Sequence, residues 1–283
     1  MKDVNLLTSN GVNVQKSLEL FGTIEKYNTT METFLKTIGE NLNKLKTYKE
    51  ASDMPKYAVL VHAIKSEARY FGFDLLADMA YQHELESKAS NIEYITNNFN
   101  SLENEIKKAI SLMTQYFSSS ASTNNVTDGI KNDNPKKEGF LSKLFGKKTK
   151  EKKLVSKYNK ILVVDDSDTI RNYIKSIFKD EFEVILASDG EEALTIIEKN
   201  PDMRLLGMLL DLSMPNVDGF SVLDYLKTRD LFSKIPVCII TSTDINEINQ
   251  RASEYPIIDI LNKPFNEKDI KEKIEKIIKS NTN

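Results

Sequence analysis

Asp165, Asp166, Asp211, Thr241 and Lys263 are residue types that can handle a phosphoryl group together, and each stands at the end of a short apolar run: ILVV before the Asp pair, MLL before Asp211, VCII before Thr241 and IIDILN before Lys263. Taken singly, an Asp in such a place is commonly a helix cap, and a Lys-Pro pair a turn. Five in succession argue for a site. Three carboxylates brought together repel one another unless a cation joins them, and hard oxygen ligands with few protein contacts suit Mg²⁺. An ion held there neutralises charge on an incoming phosphoryl group while a carboxylate attacks phosphorus. Lys263 would pair with a phosphoryl oxygen as a point charge, and the Thr241 hydroxyl would donate a hydrogen bond to another.

A second candidate lies far away in the chain. His62 sits in VHAIKSEARYFGF, where a helical turn of about 100° per residue puts Tyr57, Val61, Ile64, Ala68 and Phe71 on one apolar stripe. His62, Lys65, Ser66 and Arg69 fall on the opposite side, so His62 is expected to face water. An exposed imidazole titrates near neutral pH and keeps an unprotonated nitrogen able to attack phosphorus. Lys65, one turn on, is placed to steady a negative phosphoryl group, and small Ser66 leaves room for a partner's site to approach. His83, the other histidine, has no lysine three positions on and reads as a surface or boundary residue.

Two kinds of element must position these residues. From Val14 to Phe117 apolar residues recur at helical spacing, with Pro55 suited to a first turn, Ser52 or Asp53 available as its cap, and Gly72 breaking the pattern. Residues 1–117 therefore read as an antiparallel four-helix bundle. After Tyr158 five short apolar runs alternate with five helical segments, which predicts a flavodoxin-like (βα)5 domain over 158–283, a doubly wound parallel sheet with helices on both faces. In such a sheet ligands collect at the carboxyl ends of the strands, where the five residues fall. Between the two, residues 118–157 have linker composition.

Residues 158–280 resemble the receiver domain of bacterial response regulators, through VVDDS (Val163 to Ser167), LLDLSMPNVDGF (Leu209 to Phe220), IITS (Ile239 to Ser242) and NKPF (Asn262 to Phe265). The resemblance implies that Asp211 is the phosphoacceptor, that Asp165 and Asp166 hold the metal with Asp211, and that the Ser213 backbone carbonyl adds a ligand. The sequence departs from the pattern at Ile260, where many receivers carry an aromatic residue that swings inward as the threonine moves. Residues 10–117 resemble the histidine-containing phosphotransfer (HPt) domain, whose motif His-x-x-Lys-Gly with a later glycine is matched by His62, Lys65 and Gly72, with Ser66 in place of the first glycine. That resemblance implies phosphotransfer on His62.

Composition sets the bounds. The 283 residues are 40 % hydrophobic and 29 % charged, the balance of an ordinary soluble protein with room for two modest domains. The single cysteine, Cys238, lies in an apolar run, which excludes a disulfide framework within the chain and predicts a buried thiol. No secretory signal pattern and no run of eighteen apolar residues is found, so a cytoplasmic location is expected. Net charge is −3, but residues 118–157 hold ten lysines against four acids. Phe140, Leu141, Leu144 and Phe145 beside those lysines can lie on an anionic membrane or cover an acidic face; a solvated tether spanning about 35 Å is the simpler reading.

The leading functional expectation is a phosphoryl-carrier signalling protein rather than an enzyme. With no kinase ATP-binding domain recognisable, phosphate would come from a histidine kinase or be exchanged with other receiver or phosphotransfer proteins. The competing expectation is a docking or dimerising bundle gated by the receiver, with His62 chemically idle. Transcriptional control ranks last: no helix-turn-helix pattern is seen, and lysines alone do not make a specific nucleic-acid site.

Overall fold

The computed structural model describes residues 3–119, 160–201, 203, 205–243 and 245–280. The lysine-rich stretch with Phe140, Leu141, Leu144 and Phe145 lies outside them. The N-terminal half is helical: α1 (Val4–Thr8), α2 (Val14–Phe21), α3 (Ile24–Glu50), α4 (Met54–Tyr70), α5 (Asp74–Lys88) and α6 (Ile92–Ser118). The last four are the expected bundle, each packed on the next and α3 closing against α6. The sequence from Val14 to Lys49 is not one helix, because Gly22 at φ 76° separates α2 from α3.

Local chemistry explains the boundaries. Thr23, Asp53 and Asn91 each accept a backbone N–H from the first turn of α3, α4 and α6, and Pro55 lies in the first turn of α4, where its missing N–H costs nothing. Gly72, between α4 and α5, has φ 75°, and a Cβ there would lie 2.4 Å from the Asn13 carbonyl oxygen. The close approach is held by a 2.8 Å bond from the Asn13 N–H to the Gly72 carbonyl.

The C-terminal half alternates strand and helix: β1 (Lys160–Val164), α7 (Asp168–Phe178), β2 (Glu183–Ala187), α8 (Gly190–Lys199), β3 (Gly207–Asp211), α9 (Gly219–Thr228), β4 (Val237–Thr241), α10 (Ile245–Ala252), β5 (Asp259–Asn262) and α11 (Glu267–Ser280). The strands are all parallel in the order β2-β1-β3-β4-β5. The strand order reverses between β1 and β3, and that crevice is where doubly wound folds bind ligands. Cys238 is buried in β4, as expected.

The two halves are not merely tethered. One apolar cluster runs from the bundle, through Phe21, Tyr27, Phe34 and Phe71, into the sheet face covered by α7 and α11, while a second fills the opposite face. Phe21 meets Tyr173 edge-on with centroids 5.0 Å apart, and Tyr70 meets Phe265 at 5.8 Å. Polar contacts fix the register of this junction: the Tyr173 hydroxyl donates to the Leu20 carbonyl at 2.9 Å, the Phe265 N–H donates to the Tyr70 hydroxyl at 3.1 Å, and Lys26 pairs with Glu267.

Gly72→Ala should destabilise the bundle by more than about 1 kcal/mol, because both the left-handed backbone and the Asn13 contact oppose a side chain. Urea denaturation followed by circular dichroism would detect a lowered midpoint with an unchanged slope.

Candidate functional site

The carboxyl edge of the sheet gathers the acidic residues as the sequence predicts. One oxygen each from Asp165, Asp166 and Asp211 lies within 4.8 Å of the others. Asp165 and Asp211 are fully buried, as is Thr241 at the end of β4; Asp166 is half-buried. Lys263, after β5, reaches across to both buried carboxylates, its Nζ 2.5 Å from Asp211 Oδ2 and 2.7 Å from Asp165 Oδ2. Burial disfavours the charge on Lys263, but the three aspartates overcome it and hold the ammonium strongly protonated. Burial and mutual repulsion push the Asp166 carboxyl well above its usual range; Asp165 is raised by burial against the pull of Lys263.

Loop backbone orients these groups. The Ser167 N–H donates to Asp165 Oδ1 at 2.9 Å, the Ser213 N–H to Asp211 Oδ1 at 3.3 Å, and the Thr243 N–H to the Thr241 hydroxyl at 3.1 Å. The donor set, three hard carboxylates within one ion's reach beside a single buried ammonium, suits a divalent cation such as Mg²⁺. Ile260, at the position of the usual aromatic switch, is half-buried and packs against the second apolar cluster.

His62 departs from expectation. It does not face water: it is 3 % exposed, and Lys65 and Ser66 are buried with it. The apolar stripe of Tyr57, Val61, Ile64, Ala68 and Phe71 forms core as predicted, but the polar side of α4 is covered by α5 and by the receiver loops. A helical wheel registers only the helix's own pattern, and a polar face that meets a second domain looks the same as one that meets solvent. His83 is also buried, bonded through Nδ1 to the Tyr57 hydroxyl at 2.8 Å, and burial lowers its pKa to about 4.

The surroundings of His62 define which nitrogen can react. Nδ1 lies 2.7 Å from Glu84 Oε1, and Lys65 Nζ lies 2.6 Å from Glu84 Oε2. Lys65 Nζ is also 3.2 Å from Nδ1, but an ammonium and an Nδ1–H are both donors, so the carboxylate is the partner of each. Glu84 thus fixes the Nδ1–H tautomer and leaves the Nε2 lone pair free to accept. Nε2 points to the receiver, where it is bonded to the Ser242 hydroxyl, which in turn accepts from Ser66 Oγ at 3.1 Å. Burial lowers the His62 pKa, opposed by Glu84 and more weakly by Asp211, so the ring is neutral near pH 7.

The sequence reading missed four residues. Glu84 is twelve positions after Gly72 as His62 is ten before it, a near-symmetry that a hairpin turning at Gly72 would have exposed. Ser242 and Ser167 lay within quoted motifs but had no visible partner. Glu67, 2 % exposed, enters the receiver from α4 and accepts from the Ser167 hydroxyl at 2.8 Å; nothing in the sequence marks it.

Family models match both halves of the chain. Residues 161–275 match the response regulator receiver domain and residues 28–112 the Hpt domain. Among curated proteins, the transcriptional regulatory protein CpxR of Escherichia coli K12 is 33 % identical over 122 residues, covering 43 % of this chain and 50 % of the relative. The probable transcriptional regulator ycf27 of Cyanophora paradoxa is 33 % identical over 128 residues, 44 % of this chain and 50 % of the relative. The chain spans about half the length of these relatives. Among solved structures, the chemotaxis protein CheY4 of Vibrio cholerae aligns with TM-score 0.39 and 27 % identity over 42 % of this chain and 98 % of that one. The chain joins an Hpt domain to a response regulator receiver domain, the two modules of two-component phosphorelay signalling.

Glu84→Gln should cost about 3–5 kcal/mol of bundle stability, because Lys65 is left buried without its carboxylate. Nitrogen-15 NMR of the imidazoles should also show His62 losing its single Nδ1–H tautomer.

Proposed function

We propose that this chain is a phosphorelay carrier in which Asp211 accepts a phosphoryl group and His62 exchanges one with a receiver. The observation that supports this most directly is the docking of His62 Nε2 over the receiver's acidic edge, with its tautomer set by Glu84. On the receiver, an Asp211 oxygen attacks the phosphorus of an incoming phosphohistidine; the phosphorus–nitrogen bond breaks and the partner's imidazole leaves. Lys263, now tied to Asp165 and Asp211, turns to a phosphoryl oxygen, and the Thr241 hydroxyl donates to another. Asp165, Asp166, Asp211 and the Ser213 carbonyl would hold Mg²⁺, which supplies Lewis-acid neutralisation of phosphoryl charge.

Exchange through the bundle runs the same chemistry in reverse. The His62 Nε2 lone pair attacks phosphorus, the acyl phosphate bond breaks, and the aspartate is regenerated. Glu84 holds the Nδ1 proton and stabilises the positive charge the ring acquires, while Lys65, paired with Glu84 on the Nδ1 side of the ring, would have to leave that carboxylate to reach the phosphoryl oxygens. The partners are histidine kinases and other receiver or phosphotransfer proteins, without a specific nucleic-acid target, and a cytoplasmic location fits them. Among the described residues no helix is long and apolar enough to cross a membrane. Because Asp211 is fully buried and His62 docks at the same edge of the sheet, an outside donor would have to displace α4 to load the receiver.

The burial of His62 also favours a second reading, in which the bundle is a latch released by receiver phosphorylation and His62 is never phosphorylated. The two part on a phosphate-affinity gel after incubation with Mg²⁺ and acetyl phosphate or a phosphorylated receiver. Asp211→Asn should abolish the base-labile acyl phosphate, and persistence of that signal would contradict the site. His62→Ala should remove an acid-labile phosphohistidine while sparing the acyl phosphate; its absence from wild type across several cognate receivers would favour the latch.

A further inference from the structure

The carboxylates at the junction are unequally served. Asp165 and Asp211 share Lys263, and Glu84 takes Lys65 and Lys88. Glu67 accepts from the Ser167 hydroxyl on Oε1, and its buried Oε2 lies near the Thr169 hydroxyl without a well-formed hydrogen bond between them. Ser167 directly follows Asp166, and its hydroxyl is doubly committed, accepting the α7 cap bond from the Ile170 N–H at 3.3 Å while donating to Glu67. The bundle therefore pins a fourth carboxyl group beside the three-aspartate cluster, where burial and the nearby Asp165 push its pKa up to about 7 and its charge, when present, is felt by Asp166.

Such a buried carboxyl group is partly protonated near pH 7, and its ionised form beside other carboxylates opposes docking unless a cation compensates it. A divalent cation in the cluster would relieve it. Glu67 stands outside the group of oxygens within one ion's direct reach, and Mg²⁺ keeps several waters when it binds carboxylates, so contact between the two would run through the ion's hydration shell. We propose that Glu67 is a carboxylate lent by the bundle to the receiver's metal site, so that Mg²⁺ binds more tightly when His62 is docked and, reciprocally, tightens the docking.

The reciprocity is thermodynamic: an ion that prefers the docked state must shift the chain toward it. The consequence is regulatory, since the metal the receiver needs would also hold its own bundle in place, and the ion's occupancy would set how readily an outside partner displaces α4. The inference rests on the Mg²⁺ site proposed above and adds the bundle residue that senses it.

The test uses the full chain, with Mg²⁺ alone as the probe. In wild type, hydrogen–deuterium exchange of the amides of residues 62–68 should slow on adding Mg²⁺. In Glu67→Gln, calorimetric titration should show Mg²⁺ affinity reduced about tenfold, and Mg²⁺ should still protect the 165–167 loop but no longer α4. The proposal is overturned if Mg²⁺ leaves α4 exchange in wild type unchanged or speeds it, a result independent of whether the variant folds, or if a folded Glu67→Gln keeps both affinity and protection. A wild type that binds Mg²⁺ and forms the Asp211 phosphate while failing these tests sinks this inference alone; one that binds no Mg²⁺ sinks the metal site with it.

Discussion

The structure around the site depends on balancing charge buried where the polar side of α4 meets the carboxyl edge of the sheet. Removing ionised groups from water costs several kcal/mol each unless partners replace the lost hydration. Here Lys263 is shared between Asp165 and Asp211, and Glu84 serves both Lys65 and the Nδ1–H of His62. Each half brings an ammonium of its own to the junction, Lys65 in the bundle and Lys263 in the receiver, with the three aspartates and Glu67 left in excess of them.

Docking converts this balance into reactivity. In water, His62 would sample both tautomers and both protonation states near neutral pH. Against Glu84 and beneath the receiver loops it is held neutral, with Nε2 presented and a Ser66–Ser242 hydroxyl chain reaching that nitrogen. Asp211 is buried in the same arrangement, so the geometry proposed for exchange would also shield the receiver. Binding to any outside partner competes with the junction formed by Phe21, Tyr70, Tyr173 and Phe265, so the stability of that apolar contact bears on signalling as much as the charged residues do.

Ser66 shows how a departure from a family motif acquires meaning only in context. A glycine at that place would leave Ser242 without the hydroxyl that now donates to it. The same holds for Glu67, whose carboxyl group is buried where it meets Ser167 of the receiver.

Much of this was legible in the amino-acid order. Helical and strand periodicity are properties of neighbouring residues, so the bundle, the five-stranded parallel sheet, a cap at Ser52 or Asp53, the break at Gly72, and the placement of Asp165, Asp166, Asp211, Thr241 and Lys263 at strand ends could all be read locally. The exposure of His62 could not. Whether a polar helix face meets water or another domain depends on contacts between residues a hundred or more positions apart, such as Glu67 with Ser167 and His62 with Ser242. Those contacts form through the joint complementarity of two surfaces and leave no periodic trace in either one. Only the folded chain decided that the histidine, its tautomer-setting glutamate and the acidic edge belong to one buried site.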